Sequence, residues 1–140
     1  TFLVTLDVYS DIDLVDLDLI ICVFFTVRLT GGDETSGVVE YIDGTSWLGL
    51  CNIGFKPEYA KLICQELGHA SGSLLPAAAY GKYYKHIGRP NITCTGEESS
   101  ILDCAYDSQI KCFSSHYHYV SISCHADLPD KGKFVLPTYI

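Results

Sequence analysis

Residues 5–19 alternate between apolar and polar positions with a period of two: Val8, Ile12 and Leu14 share one parity, and Asp7, Asp11 and Asp13 the other. After Leu14-Val15 the phase flips, placing Asp16 and Asp18 on even positions and Leu17 and Leu19 on odd ones, as one bulged residue would do. From Ile20 to Phe25 both parities are apolar, with β-branched and aromatic side chains, the pattern of a strand covered on both faces. Residues 1–26 therefore predict a long, bent N-terminal β-arm. Its apolar set is Val8, Ile12, Leu14, Leu17, Leu19, Ile21, Val23 and Phe25.

"VRLTGGDETSGVVEYIDGTSWLGLC", residues 27–51, reads as three strands joined by a Gly-rich turn and an Asp43-Gly44 turn, the start of a β-meander. In "KPEYAKLICQELGHASG", Pro57 suits a first helical turn. Tyr59, Ile63 and Leu67 recur at spacing four with Leu62 beside them, and Gly68 is a stop, so a short amphipathic helix is predicted over about 58–67. Residues 69–90 are rich in Gly, Ser, Ala and Tyr without a sustained period and read as a long loop on the core. "ISC" at 122–124 predicts a last strand. Residues 126–140, with Pro129, Gly132 and Pro137, read as an extended tail or linker.

The chain has 140 residues, enough for one core, and 48% of them are hydrophobic. Its net charge of −8 is uneven: five aspartates and no Lys or Arg lie in residues 1–26, leaving −3 for the rest. This balance excludes a nucleic-acid groove and disfavours anionic membrane surfaces. Leu19–Val27 is the longest charge-free run of the arm, whereas a spanning helix needs about 20 residues, so no membrane span is expected. The run lacks a basic leader and a small-residue cleavage site, and it reads as mature sequence or an internal fragment.

Seven cysteines, six of them between positions 51 and 124 (Cys51, Cys64, Cys94, Cys104, Cys112, Cys124), indicate disulfides and a secreted, extracellular protein. No C-x-x-C pair favours zinc. Asn91-Ile92-Thr93 is an N-glycosylation sequon, which agrees with secretion. Spacing alone leaves the cysteine pairing open.

The ordered motifs "VRLTGG", "GVVEYIDGTSWLGLC", "AKLICQELG", "NITCTGEESSILDC" and "SISC" closely resemble the scavenger receptor cysteine-rich (SRCR) domain over residues 27–125. The resemblance implies an α+β fold in which a curved antiparallel sheet cradles one helix. It also implies three bridges, Cys51–Cys112, Cys64–Cys124 and Cys94–Cys104. His69 stands where an eight-cysteine variant carries a further cysteine, so the chain looks like the six-cysteine class. Cys22 is then left over, and is expected to be a buried thiol or to pair with another chain.

Many members of that family carry an acidic pair just after the position of Cys51, which binds calcium together with a glutamate at the position of Glu98. Here the pair is Asn52-Ile53, and isoleucine offers no oxygen ligand. The calcium site is therefore expected to be weakened or absent, with Glu98 its remnant and no cofactor required. His116 and His118 are spaced to share a metal but read more simply as loop histidines. Trp47 is expected in the core. Lys82, Lys85, His86 and Arg89 form a basic cluster that reads as a solvated loop, and Tyr80, Tyr83, Tyr84, Tyr117 and Tyr119 suit loop packing or an adhesive surface. Catalytic signatures such as G-x-S-x-G or H-E-x-x-H are missing, so no enzymatic activity is expected.

Two functions follow. The first is a secreted structural or adhesion subunit that associates with protein partners, chiefly itself. Its arm would add a strand to a neighbour, and head-to-tail addition would yield a filament. The second is a scavenger-receptor-type module binding proteins or polyanions through its loops. The arm could instead fold back on its own core or belong to an adjacent domain.

Overall fold

The computed structural model describes residues 25–112 and 116–126. Strand β1 (Val27–Thr30) and strand β2 (Ser36–Asp43) form an antiparallel hairpin with Val27 opposite Tyr41 and Thr30 opposite Val38. Its turn is closed by Asp33, whose Oδ1 accepts from the Thr35 and Ser36 N–H groups at 3.0 and 2.9 Å, an aspartate mimicking a backbone turn. Strand β3 (Ser46–Leu50) returns through a two-residue turn with Gly44 at φ 65° in its first position.

Helix α1 (Tyr59–Glu66) agrees with the predicted span to within a residue at each end. It stops as its sequence predicts. Gly68 takes φ 95°, its N–H donates to Gln65 O at 3.0 Å, and the His69 N–H donates to Cys64 O at 2.9 Å, which satisfies carbonyls the helix would otherwise orphan. The helix buries Tyr59, Ala60, Ile63 and Cys64.

Strands β4 (Ser71–Leu74), β5 (Ile87–Gly88) and β6 (Ser121–His125) complete a six-stranded sheet of order β4-β6-β2-β3-β5, with β1 on the opposite side of β2 from both β3 and β6. The outer side of β1 has no strand partner among the described residues. Two expectations are corrected here. The sheet is mixed rather than wholly antiparallel, because β5 runs parallel to β3. Residues 69–90 are not all loop: they supply β4 and β5, which show no period of their own and take strand geometry from the backbone groups of β6 and β3.

β2 is buried on both faces. Val39 and Tyr41 join Val27, Leu50, Ile63, Ile101, Val120 and Ile122 in the main core under α1, while Val38 packs with Tyr83 and Tyr119 on the other face. Bridges Cys51–Cys112, Cys64–Cys124 and Cys94–Cys104 are all formed, with sequence separations of 61, 60 and 10. Cys64–Cys124 ties the helix to β6. It passes over Gly72 of β4, where any Cβ would overlap Cys64 Sγ. Of the predicted arm only Phe25 and Thr26 are described; Val8, Ile12, Leu14, Leu17, Leu19, Ile21, Val23 and Cys22 lie outside the described residues, as does the tail beyond Ala126.

Candidate interaction surface

The face of β2 turned away from the helix is organised around a buried carboxylate. Glu40 is 0% exposed. Its Oε1 accepts from Arg28 Nε and Nη2, each at 2.8 Å, and its Oε2 accepts from Tyr83 Oη at 2.7 Å and faces Lys85 Nζ at 3.1 Å. Burial pushes the Glu40 carboxyl up, but the hydrogen bonds from Tyr83, Arg28 and Lys85 outweigh it and hold the group below its ordinary value. Burial and the facing carboxylate push the Tyr83 phenol up, so it remains a donor. Gly49, opposite Glu40 in β3, makes room for this phenol: a Cβ there would lie 2.5 Å from the Tyr83 ring.

Tyr119 completes this polar packing. Its Oη donates to Gly81 O at 2.7 Å and accepts from Tyr80 N–H at 2.9 Å, which pins the loop after β4. Sequence reasoning missed Glu40, although a glutamate between apolar neighbours in a strand apolar on both faces was a signal.

Arg28, aimed by Glu40, lies over the Trp47 ring at 4.1 Å from its centroid. Trp47 is thus half-buried on the surface rather than in the core, a correction that follows from register. Trp47 is opposite Ile42, on the Glu40 side of the sheet, where no helix covers it. Together with Phe25, Val27, Leu29, Leu67 and His69 it lines an open groove of about 460 Å³, with Asp33 and Glu34 at its edge. Phe25 is 45% exposed. The root of the arm beside it is anchored, because Glu66 of α1 accepts from Thr26 Oγ1 at 3.2 Å, from Ser100 Oγ at 2.9 Å and from the Ile101 N–H at 3.2 Å. Burial raises the Glu66 carboxyl above its ordinary value.

A second hollow, of about 500 Å³, lies between α1 and the Cys94–Cys104 loop, lined by Lys56, Glu58, Lys61, Gln65, Thr95 and Glu98 among others. Glu98 is committed to its own loop. Its carboxylate accepts from the Thr95 N–H at 2.9 Å, Thr95 Oγ1 at 3.1 Å and the Gly96 N–H at 3.0 Å, and these bonds, the Thr95 N–H foremost, lower its pKa. Glu98 comes close to Cys94 and Cys104, but both sulfurs are joined in the bridge and offer no thiolate to a metal. Asn52 and Ile53, at the positions of the family's acidic pair, present an amide and a hydrocarbon. These residues do not fit a calcium ion.

His116 and His118 do not converge on a shared site. His116 Nδ1 bonds Tyr83 O at 2.9 Å while its ring meets Tyr84 at 4.8 Å, and His118 Nδ1 is buried without a hydrogen-bond partner. The basic cluster is also dispersed. Lys85 serves Glu40, and Arg89 donates to Leu102 O at 3.3 Å and stacks on Tyr41 and Tyr106. Tyr83 and Tyr119 are buried, whereas Tyr84 and Tyr117 are exposed. Asn91 is exposed in a turn.

The family model of the scavenger receptor cysteine-rich domain matches residues 29–125. The chain belongs to the SRCR family. This SRCR domain is 35% identical over 83 residues to lysyl oxidase homolog 2 of Xenopus tropicalis (58% of this chain, 11% of that protein) and 30% identical over 102 residues to lysyl oxidase homolog 3B of Danio rerio (71% and 13%). It therefore spans little more than a tenth of those relatives. Among solved structures it superposes on the third SRCR domain of murine neurotrypsin with a TM-score of 0.61 at 25% identity, covering 74% of this chain and 97% of that one. It superposes on the SRCR domain of mouse MARCO, solved in a dimeric form, with a TM-score of 0.54 at 27% identity (70% and 93%). No helix among the described residues is long and apolar enough to cross a membrane.

Proposed function

We propose that this SRCR domain is a secreted, non-catalytic structural or adhesion subunit. It holds proteins together through the β1 face, and the arm that precedes β1 serves as a strand donor to a neighbouring copy. One observation carries the reading: at the root of the arm, exposed Phe25 and half-buried Trp47 flank an open groove beside a strand whose outer edge is unpaired among the described residues. An unpaired edge is a template for another strand, and aromatic anchors in a shallow groove are the residues that bind most strongly at protein interfaces. Donation from each copy to the next does not close and extends into a filament. Three disulfides suit an oxidising, extracellular setting.

The alternative, capture of polyanions, finds less support. Lys56 and Lys61 share their hollow with Glu58 and Glu98, so its charges cancel, and Lys85 and Arg89 are already engaged. Sedimentation velocity and electron microscopy of the secreted chain, with and without residues 1–24 and in the presence of a calcium chelator, test the reading. Concentration-dependent assemblies that need the arm and persist in chelator are expected, and Phe25→Asp should weaken them. A monomer at all concentrations, or polymers that survive removal of the arm, would end the assembly reading. Saturable, calcium-dependent binding of heparin would favour the alternative.

A further inference from the structure

We infer that Asn91 carries an N-linked oligosaccharide, and that this glycan screens the Ile53–Gly54 rim of the domain. The sequon alone states a possibility; the geometry around it decides whether a folded chain has room for the product. Pro90 O accepts from the Asp107 N–H at 3.0 Å, and Thr93 exchanges two backbone hydrogen bonds with Ala105 at 2.8 and 3.1 Å, so the backbone is fixed just before the sequon and at its third residue. Within it Ile92 is buried in the main core, at 2% exposure, while Asn91 and Thr93 are exposed. The fold thus buries the middle residue and leaves both recognised residues exposed.

Asn91 itself sits at φ 55°, a left-handed turn that asparagine tolerates, with its N–H donating to Ile53 O at 2.8 Å. Its amide oxygen packs against Gly54, where an added Cβ would overlap it, and no described hydrogen bond engages its side chain. In the modification, Nδ2 bonds the anomeric carbon of a lipid-linked oligosaccharyl pyrophosphate. The carbon–oxygen bond to the pyrophosphate breaks, the lipid pyrophosphate leaves, and Nδ2 releases a proton.

A glycan rooted here rises beside Asn52-Ile53, the positions that lack the acidic pair, so this rim carries sugar rather than a metal-dependent contact. Asn91 and the residues it touches line neither hollow described above, so the groove at Trp47 stays open. The site is independent of the arm, and either reading can fail alone.

The test is secretion of the full chain from eukaryotic cells behind a cleavable leader. The expected result is a mass shift that peptide-N-glycosidase removes, converting Asn91 to aspartate in the recovered peptide. The shift should be lost in Asn91→Gln and Thr93→Ala and kept in Thr93→Ser, with all six bridged thiols still protected from alkylation. A secreted, fully bridged wild-type chain with an unmodified Asn91 peptide would overturn the site. Hydroxyl-radical footprinting should show Ile53 less oxidised before enzymatic removal of the glycan than after it; equal oxidation would overturn the screening.

Discussion

The two faces of β2 solve the same burial problem in opposite ways. On the helix face Val39 and Tyr41 meet an apolar core closed by α1 and fastened by Cys64–Cys124. On the far face Val38 and Glu40 meet a loop whose tyrosines bring hydroxyls inside, and a buried carboxylate gathers one phenol and two cations. The first face gains from area removed from water and from a shortened list of unfolded conformations. The second gains mainly specificity: Glu40 dictates where Arg28, Tyr83 and Lys85 stand, and through Arg28 it places Trp47 at the groove. A small domain can thus keep a rigid side and spend a costly buried charge on shaping the other.

The largest expected effect breaks the helix face. Replacing Cys64 and Cys124 together by alanine frees a closure of 60 residues and should cost about 4 kcal/mol, read as the urea midpoint of the purified, oxidised protein. A loss below about 1 kcal/mol would mean that the apolar core holds the helix unaided.

Next, on the far face, Arg28→Met with Lys85→Met leaves Glu40 buried with only Tyr83 and should cost about 3 kcal/mol. Adding Glu40→Leu to that pair should recover part of the loss, because a whole ionic set replaced by apolar groups is often close to neutral. A triple variant less stable than the double would show that Glu40 contributes more through Tyr83 than through its cations.

Gly49→Ala sharpens the comparison further. Its new methyl meets the Tyr83 ring, which must swing away from Glu40, at an expected cost of about 2 kcal/mol. Tyr83 fluorescence quenching and the stability loss should move together, and a stable variant with Tyr83 still on Glu40 would show that the sheet flexes.

The smallest effect is in the pH dependence. Glu40 has a depressed pKa, so its contribution is complete above the ordinary unfolded carboxylate value and fades as pH falls through the folded one. Glu66 is raised, so its contribution is complete at acid pH and fades as pH rises through its elevated value. The Arg28→Met, Lys85→Met variant should therefore lose less stability on acidification than the parent, and Glu66→Gln should lose more. Parallel curves for all three would contradict both assignments.

Much of this was readable along the chain. The three N-terminal strands follow from alternation and glycine turns, and the helix and its Gly68 stop follow from spacing four. The six bridged cysteines and their pairing follow from the resemblance that the ordered motifs carry. Trp47 was misplaced because an aromatic in a strand says nothing of which face the helix will cover. β4 and β5 were missed because Ser-Gly-Ser-Leu and Ile-Gly have no periodicity to read; an edge that lacks partners recruits them.

Local order was therefore written in the chain: side-chain period, turn chemistry and the density of thiols act over a few neighbours and need no partner to be recognised. What the folded molecule alone settled was which faces meet. The Glu40 cluster draws on Arg28, Tyr83 and Lys85, up to 45 positions from Glu40, and the groove joins Phe25 to Leu67. Such contacts depend on how a twisted sheet brings distant strands into register, and that arises from the packing of the whole chain.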